Sequence, residues 1–185
     1  MTGSKSRKSS SEQLVFVPLG GVGEIGMNMA AYGFGPEGRR QWLVVDCGVT
    51  FGGPHQPGIE LVMADSTFLE DRAENVVGLV LTHAHEDHLG AVQYLWDRFK
   101  CPIYATPFTA HILNRKLSEP GWENEAEVNV VPLQGKFSVG PFELELITLT
   151  HSIPEPNALA LETPLGTILH TGDWKIDPDP QLGAE

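Results

Sequence analysis

The segment 76–88 constrains the fold of this chain most, because it joins a predicted buried strand directly to metal-binding side chains. Residues 76–82 read Val-Val-Gly-Leu-Val-Leu-Thr, a short apolar run with β-branched residues that is typical of a buried strand. Residues 83–88 come directly after it and read His-Ala-His-Glu-Asp-His. Imidazole and carboxylate groups bind zinc and similar cations, and neither disulfide nor haem chemistry needs this spacing. The segment therefore predicts a metal site on the edge of a sheet.

Three further residues that can bind metal stand at predicted strand ends elsewhere in the chain. His151 and Asp173 each follow an apolar run, and Asp46 ends one. Strand ends from distant parts of a sequence can meet on one edge of a layered fold. We therefore expect these residues to lie near the cluster at 83–88. Without this shared setting, His151 and Asp173 would be interpreted as ordinary surface groups.

The composition indicates a soluble globular domain. The 185 residues are 41% hydrophobic and 19% charged, with a formal net charge of −12. No apolar stretch reaches the roughly 18 residues that a membrane span needs, and the N-terminus has no signal-peptide core. The negative charge argues against a broad nucleic-acid-binding face, although two divalent cations would offset part of it locally. Cys47 and Cys101 form no CxxC pair and are expected to be reduced, partly buried thiols.

The predicted elements interleave many strands with few helices, which indicates a layered α/β fold. Residues 1–13, rich in Ser, Lys and Arg, are expected to form a disordered tail, and the Gly- and Pro-rich residues 51–60 a loop. The chain ends without a closing element, so we expect it to be part of a longer fold. Strands are expected at 14–17, 27–34, 42–46, 76–82, 102–105, 128–132, 142–149, 158–163 and 166–171, and helices at 66–74, 90–99 and 107–117.

The glycine-rich segment 21–26 matches the dinucleotide-binding pattern GxGxxG, with Asp46 about 20 residues further on. That pattern requires a crossover helix directly after the glycines. Only six residues separate Gly26 from Gly33, which is too few for such a helix. We therefore expect a tight loop beside the metal edge, where it could line a substrate groove.

Four segments carry a motif order that resembles the metallo-β-lactamase superfamily and, more narrowly, bacterial ribonuclease J. They are 18–26, 82–91, 151–154 and 170–175, which read PLGGVGEIG, THAHEDHLGA, HSIP and HTGDWK. The resemblance runs from about residue 14 to 180. It implies that residues 14–185 form the N-terminal part of an αβ/βα sandwich of the metallo-β-lactamase type. The β-CASP and C-terminal domains of that family would then be absent from this chain.

The resemblance also implies two zinc ions and a role for each site residue. The first ion would bind His83, His85 and His151, the second would bind Asp87 and His88, and Asp173 would bridge both. The second site would lack one histidine and stay incomplete in this chain. Two cations about 3.5–4 Å apart can lower the pKa of a shared water and stabilise an in-line attack on phosphorus. The candidate catalytic residues are Asp46 and Asp87. Asp46 would not bind a cation itself but would orient a residue that does. His170 is expected to be structural, and His55 and His111 to be surface groups.

The function that the resemblance implies is that of a zinc-dependent ribonuclease. Family members act on 5′-monophosphorylated RNA as 5′-to-3′ exonucleases and as endonucleases, in mRNA decay and rRNA processing. They are cytoplasmic homodimers or tetramers without a membrane anchor. Two alternatives stay open: a small-molecule metallo-hydrolase of the same superfamily, such as a thioesterase or lactamase, and a non-catalytic fragment that binds metal.

Overall fold

Twelve strands and four helices make up residues 11–180, the part of the chain that this computed structural model describes. The strands are β1 (Glu12–Gly20), β2 (Met29–Pro36), β3 (Gln41–Val45), β4 (Val49–Phe51), β5 (Leu61–Met63), β6 (Val76–Val80), β7 (Ile103–Ala105), β8 (Val128–Val130), β9 (Lys136–Val139), β10 (Phe142–Thr148), β11 (Asn157–Thr163) and β12 (Gly166–His170). The helices are α1 (Thr67–Glu70), α2 (Glu86–Leu89), α3 (Val92–Leu95) and α4 (Pro107–Ser118), with 3₁₀ turns at Ala73–Asn75, Trp96–Arg98 and Trp122–Asn124. Within this range no helix has the length and apolar character that crossing a membrane requires.

Two sheets pack face to face. The first has six strands in the order β1-β2-β3-β6-β7-β8, and the second has four in the order β12-β11-β10-β9. The first sheet is antiparallel from β1 to β3 and parallel from β3 to β8, whereas the second is antiparallel throughout. In the parallel part, Val45 pairs with Val80, so β3 and β6 end at the same edge. This pairing brings residues that come after the two strands close together.

The inner strands of the six-stranded sheet are buried on both faces, which explains why they read as apolar runs. On one face, Ala31, Val44 and Leu79 belong to a core shared with the helices. On the other, Leu43 and Val80 belong to a core between the two sheets. Because successive side chains of a strand point to opposite faces of the sheet, the apolar side chains are divided between the two cores.

All four helices pack on the free face of the six-stranded sheet, through buried residues such as Leu69, Leu89 and Leu113. The outer face of the four-stranded sheet instead carries exposed charge, for example at the cross-strand pair Glu143 and Glu162. The described residues thus form a helical layer, a central sheet and a second sheet. This agrees with the predicted N-terminal portion of an αβ/βα sandwich.

The helix predicted at 90–99 is present but shorter, because α3 begins at Val92 and gives way to a 3₁₀ turn at Trp96–Arg98. The separate helix α2, before this range, was not predicted. In a continuous helix, the N–H of Ala91 would donate to the carbonyl of Asp87. Here Ala91 N donates to Cys47 O at 2.9 Å, and Asp87 O accepts from Asn28 N at 2.9 Å. Hydrogen bonds to distant segments therefore separate α2 from α3.

Three other elements differ from the sequence-based expectation. The helix at 66–74 is shorter, since α1 gives way to a 3₁₀ turn after Asp71. The loop at 51–60 is the tip of a hairpin whose strands, β4 and β5, pair with each other. Strand β9 was not predicted and pairs with β10. All of these are short elements whose pairing or packing comes from distant contacts.

The N-terminal strand begins earlier than expected. β1 starts at Glu12, which pairs with Pro36, so Glu12 and Gln13 belong to the sheet rather than to the predicted tail. Residues 1–10 of that tail lie outside the described residues.

Both cysteines are buried and free, rather than partly buried as expected. Burial raises the pKa of both thiols, that of Cys101 to about 12. Cys47 and Cys101 therefore stay protonated at neutral pH and act as small core residues.

Candidate metal centre

Four strand ends meet at one edge of the sandwich. His83 follows β6, Asp46 follows β3, His151 follows β10 and Asp173 follows β12. In the second sheet the register of β11 against β10 and β12 brings the last two strand ends together. The structure thus brings together residues that are far apart in sequence, as the strand-end argument predicts.

Three histidines form the tighter part of the site. One nitrogen from each of His83, His85 and His151 lies within 4.8 Å of the others. His85 Nδ1 is 3.1 Å from His83 Nε2 and 3.2 Å from His151 Nε2. Three converging imidazole nitrogens match the number of protein ligands in many catalytic zinc sites. We call this set the three-histidine group.

A second group shares one member with the first and consists of His83, His88 and Asp173. Asp173 Oδ2 lies 3.4 Å from His88 Nε2 and 3.7 Å from His151 Nε2, so one carboxylate oxygen stands between the two groups. Asp87 is beside this group rather than within it, with Oδ2 at 3.6 Å from His88 Nε2. The geometry therefore differs from the expected assignment of residues to the two sites. The expectation places Asp87 with His88, whereas the structure places His83 with His88.

Asp46 is buried behind the site and orients two of its histidines. Its carboxylate accepts hydrogen bonds from Thr82 N at 2.8 Å and Thr82 Oγ1 at 2.9 Å, and pairs with His88 Nδ1 at 2.7 Å. Thr82 Oγ1 is in turn 2.9 Å from His83 Nδ1. The Nδ1 atoms of His83 and His88 are thus both hydrogen-bonded, and their Nε2 atoms face the site. Because Asp46 is only 1% exposed, its carboxylate contacts these neighbours and not the solvent.

The local electrostatics keep part of the site neutral. Burial, together with the nearby His88, lowers the pKa of His83 to about 3, and burial also lowers the pKa of His151. Burial alone would lower the pKa of His88, but the Asp46 carboxylate raises it to about 9. For Asp46, the effect of burial is outweighed by His88, which holds the pKa of that carboxyl below its usual value. His83 and His151 are therefore neutral at pH 7, the form that binds a cation.

The remaining histidines lie outside both groups. His170 shares a hydrogen bond of 2.9 Å with Tyr32 Oη between the sheets, and burial lowers the pKa of its imidazole. Burial raises the pKa of Tyr32 to about 12. His55 and His111 are exposed, in a turn and on α4 respectively.

Two clefts open beside the site. One of about 320 Å³ is lined by Gly21, Val22, His88 and Asp173, among others. The other, of about 220 Å³, borders His151. Asp173 and Asp87 carry side chains that are 44% and 34% exposed, so their carboxylates are accessible from outside.

Sequence reasoning missed Asn28, whose side chain reaches the site. Its Nδ2 lies 3.2 Å from Asp87 Oδ2 and 3.1 Å from His88 Nε2. A single asparagine after a glycine-rich loop carries no periodic or spacing signal. Only the expected place of that loop beside the metal edge could have drawn attention to it.

Sequence reasoning also missed Glu155, which ties the His151 loop to α4. Its carboxylate accepts a hydrogen bond of 2.8 Å from Phe108 N in the first turn of α4, where Thr106 makes no side-chain cap. Its carbonyl accepts one of 2.7 Å from Asn157 Nδ2. The carboxylate thus caps the helix from a distant loop and also complements the helix dipole.

We expect Glu155→Ala to lower the free energy of unfolding by about 1 kcal/mol, the usual effect of losing an N-cap. Urea denaturation followed by far-UV circular dichroism measures this loss. Glu155→Gln keeps an acceptor oxygen and is expected to retain part of the stability, and Glu123→Ala, at an exposed position, serves as the control. An alanine variant as stable as the parent would show that the contact does not cap α4.

Comparison with known proteins identifies similar sequences. The family model described as the metallo-beta-lactamase superfamily matches residues 37–178. "Ribonuclease J" from Sinorhizobium meliloti is 50% identical over 175 residues, which cover 95% of this chain and 31% of that protein. "Ribonuclease J" from Helicobacter pylori is 37% identical over 177 residues, covering 95% of this chain and 25% of that protein. The chain therefore spans between a quarter and a third of the length of these relatives.

Solved structures show the same fold at low sequence identity. The metallo-beta-lactamase fold protein YhfI from Bacillus subtilis has a TM-score of 0.55 and 18% identity, covering 85% of this chain and 61% of that chain. A protein of unknown function from Enterococcus faecalis V583 has a TM-score of 0.61 and 19% identity, covering 89% and 44%. The family model and the sequence relatives confirm the predicted resemblance to the superfamily and to ribonuclease J, and the solved structures support the predicted fold.

Proposed function

Because the chain belongs to the metallo-β-lactamase superfamily, we propose that it carries the metal centre of a ribonuclease that hydrolyses phosphodiester bonds in RNA. The observation that carries the proposal is the Asp173 carboxylate, whose Oδ2 lies between His88 Nε2 and His151 Nε2 at 3.4 and 3.7 Å. A carboxylate between two sets of imidazoles is suited to a site for two cations. The similarity to two proteins named ribonuclease J supports RNA as the substrate.

In this proposal the three-histidine group would hold one divalent cation, His88 and Asp87 would hold the other, and Asp173 would serve both. Such cations, when bound, make a water molecule more acidic and neutralise charge on the phosphate. The imidazole-rich donor set favours zinc. The second site has one histidine from this chain and should bind its cation more weakly than the first.

The residues of the chain prepare the site for this chemistry. Asp46 and Thr82 fix the imidazole rings of His88 and His83, so little reorganisation is needed when a cation binds. Asp87 is the candidate for proton transfer to the leaving oxygen, since its carboxylate is partly exposed at the site. With a net charge of −12, the chain would repel RNA unless cations were bound at this edge.

The resemblance to ribonuclease J extends the proposal further. The substrate would be 5′-monophosphorylated RNA, cleaved both from its 5′ end and internally. The protein that carries this chain would take part in mRNA decay and rRNA processing, assemble as a homodimer or tetramer, and act in the cytoplasm. The residues from 14 to 185 would form its N-terminal metallo-β-lactamase part, together with Glu12 and Gln13, which belong to β1.

A chimera tests the function without assuming what surrounds this chain. Residues 14–180 would replace the matching segment of the Sinorhizobium meliloti relative, and the chimera would be incubated with 5′-monophosphorylated RNA and zinc or manganese. We expect cleavage that a chelator abolishes and added metal restores. For the 185-residue chain alone we expect weak cleavage or none, since it spans 31% of that relative.

Two histidine variants of the chimera serve as a matched pair. His83→Ala removes a buried member of both groups and is expected to abolish cleavage, whereas His111→Ala, at an exposed position on α4, is expected to preserve it. A folded chimera that binds metal but leaves RNA intact contradicts the proposal, as does cleavage that survives chelation. Turnover of a thioester or lactam by such a chimera would favour a small-molecule hydrolase.

A further inference from the structure

The side-chain amide of Asn28 lies between Asp87 and His88, the two residues proposed to hold the second cation. Its Nδ2 donates to Asp87 O at 3.1 Å and to Asp87 Oδ2 at 3.2 Å, and it lies 3.1 Å from His88 Nε2. The two oxygen acceptors define which end of the amide faces the site, because an amide oxygen there would be repelled. The amide is therefore a neutral donor to the Asp87 carboxylate.

Backbone hydrogen bonds hold Asn28 independently of its side chain. Asn28 N donates to Asp87 O at 2.9 Å, and Asn28 O accepts from Gly48 N at 3.0 Å. The segment after the glycine-rich loop is thus bound to the two segments that carry His88 and Asp46. A substitution of the side chain removes the amide and leaves these main-chain bonds in place.

The glycine-rich loop provides space for this side chain. A Cβ atom at Gly21 would overlap Asn28 Oδ1 and lie 3.0 Å from its Cα, whereas one at Gly23 would meet nothing within 4 Å. Both glycines have a left-handed backbone, with φ of +82° and +80°. Both positions therefore favour glycine for the same left-handed backbone, but only at Gly21 would a side chain collide with Asn28.

We propose that Asn28 is a positioning residue, which holds the Asp87 carboxylate towards the second cation, and that Gly21 maintains this arrangement. The inference rests on the proposed two-cation site. Without the amide, the partly exposed Asp87 side chain can turn to solvent, away from His88. A neutral donor suits this task because it orients the carboxylate without cancelling the negative charge that attracts a cation. Mutation of a residue that hydrogen-bonds to a metal ligand typically lowers the metal affinity by about 10–100-fold.

Calorimetric titration of the metal-free chain with zinc chloride tests the inference directly. The parent is expected to bind two cations in two steps of different affinity. In Asn28→Ala and in Gly21→Ala, the first step should be unchanged, whereas the dissociation constant of the second should rise about 10–100-fold. Two controls should behave like the parent: Gly23→Ala, with an equally strained backbone, and Asn114→Ala, at an exposed position on α4.

A crystal structure of each variant without metal gives a second readout. In the parent, Asp87 Oδ2 lies 3.6 Å from His88 Nε2, and we expect this distance to increase in Asn28→Ala and Gly21→Ala while the fold is retained. Thermal unfolding of all variants establishes that they are folded at the temperature of the titration.

The outcomes separate the two proposals. If the parent binds two cations and Asn28→Ala binds both equally well, the positioning role is refuted and the proposed function stands. Equal weakening of both steps also refutes it, since the side chain would then act on the whole site. If Gly21→Ala and Gly23→Ala match each other, Gly21 has no role in holding Asn28. A parent that binds fewer than two cations refutes both the inference and the two-cation function.

Discussion

Replacing Asp46 by alanine is expected to lower the free energy of unfolding of the metal-free chain by about 3–5 kcal/mol, the range for removing one partner of a buried ion pair. The Asp46 carboxylate, 1% exposed, accepts from Thr82 N at 2.8 Å and is paired with His88 Nδ1 at 2.7 Å. Both donors are buried and would be left without an acceptor, because water cannot reach them freely. Leaving such donors unsatisfied costs more than the net contribution of each bond.

Urea denaturation of the parent and of three variants measures this effect. Asp46→Asn keeps one acceptor oxygen for Thr82 but presents an amide to His88, so we expect it to recover only part of the loss. Asp71→Ala, at an exposed position, is the control and should change stability by less than about 0.5 kcal/mol. A loss below about 1 kcal/mol in Asp46→Ala would mean that water or His88 itself replaces the carboxylate.

The clustering of the candidate site residues could be predicted because its signal is local. His83, His85, Asp87 and His88 directly follow an apolar strand, and the same pattern precedes His151. A strand that is buried on both faces reads as an apolar run, and its end can be located to within a residue or two. Residues directly after such a strand must lie at a sheet edge, so ligand-type side chains in that position point to one place.

The residues that contact the site from other segments could not be predicted, because these contacts join distant parts of the chain. Asn28 meets Asp87, 59 residues further along the chain, and Glu155 meets Phe108, 47 residues away. Neither contact leaves a periodic pattern in the sequence. Met27 and Glu155 also adopt a positive φ, of 41° and 56°, although their residue types give no sign of it. Tertiary contacts maintain these backbone conformations.

The errors in the predicted fold have the same physical cause. Periodicity predicts one helix over 90–99, since it counts apolar positions. It does not register that Ala91 N donates to the distant Cys47 O, so that α3 starts only at Val92. Strand β9 has only four residues, and it becomes a strand by pairing with β10. Local sequence preference is weak in such short elements, and the pairing partner decides their conformation.

Gly48→Ala is expected to reduce the free energy of unfolding by about 3 kcal/mol, at the upper end of the usual range for overpacking. A Cβ atom at Gly48 would coincide with the Asp87 carbonyl group and lie 2.6 Å from His88 N. Backbone atoms cannot escape by changing a rotamer. They are also held in place, since Asp87 O accepts from Asn28 N at 2.9 Å and His88 O accepts from Cys47 N at 2.7 Å.

The same clash is expected to affect one of the two proposed cation sites and not the other. Moving the backbone at Asp87 and His88 displaces residues of the proposed second site, whereas the three-histidine group takes His83 and His151 from the ends of β6 and β10 and can retain a cation. We therefore expect Gly48→Ala to lose the second step of a zinc titration and keep the first. Gly53→Ala is the matched control, because neither glycine has a positive φ and a Cβ at Gly53 would meet only Gln56 Oε1, at 3.8 Å. If Gly48→Ala matched Gly53→Ala in stability and in zinc binding, the close approach of these two segments would have no role in forming the site.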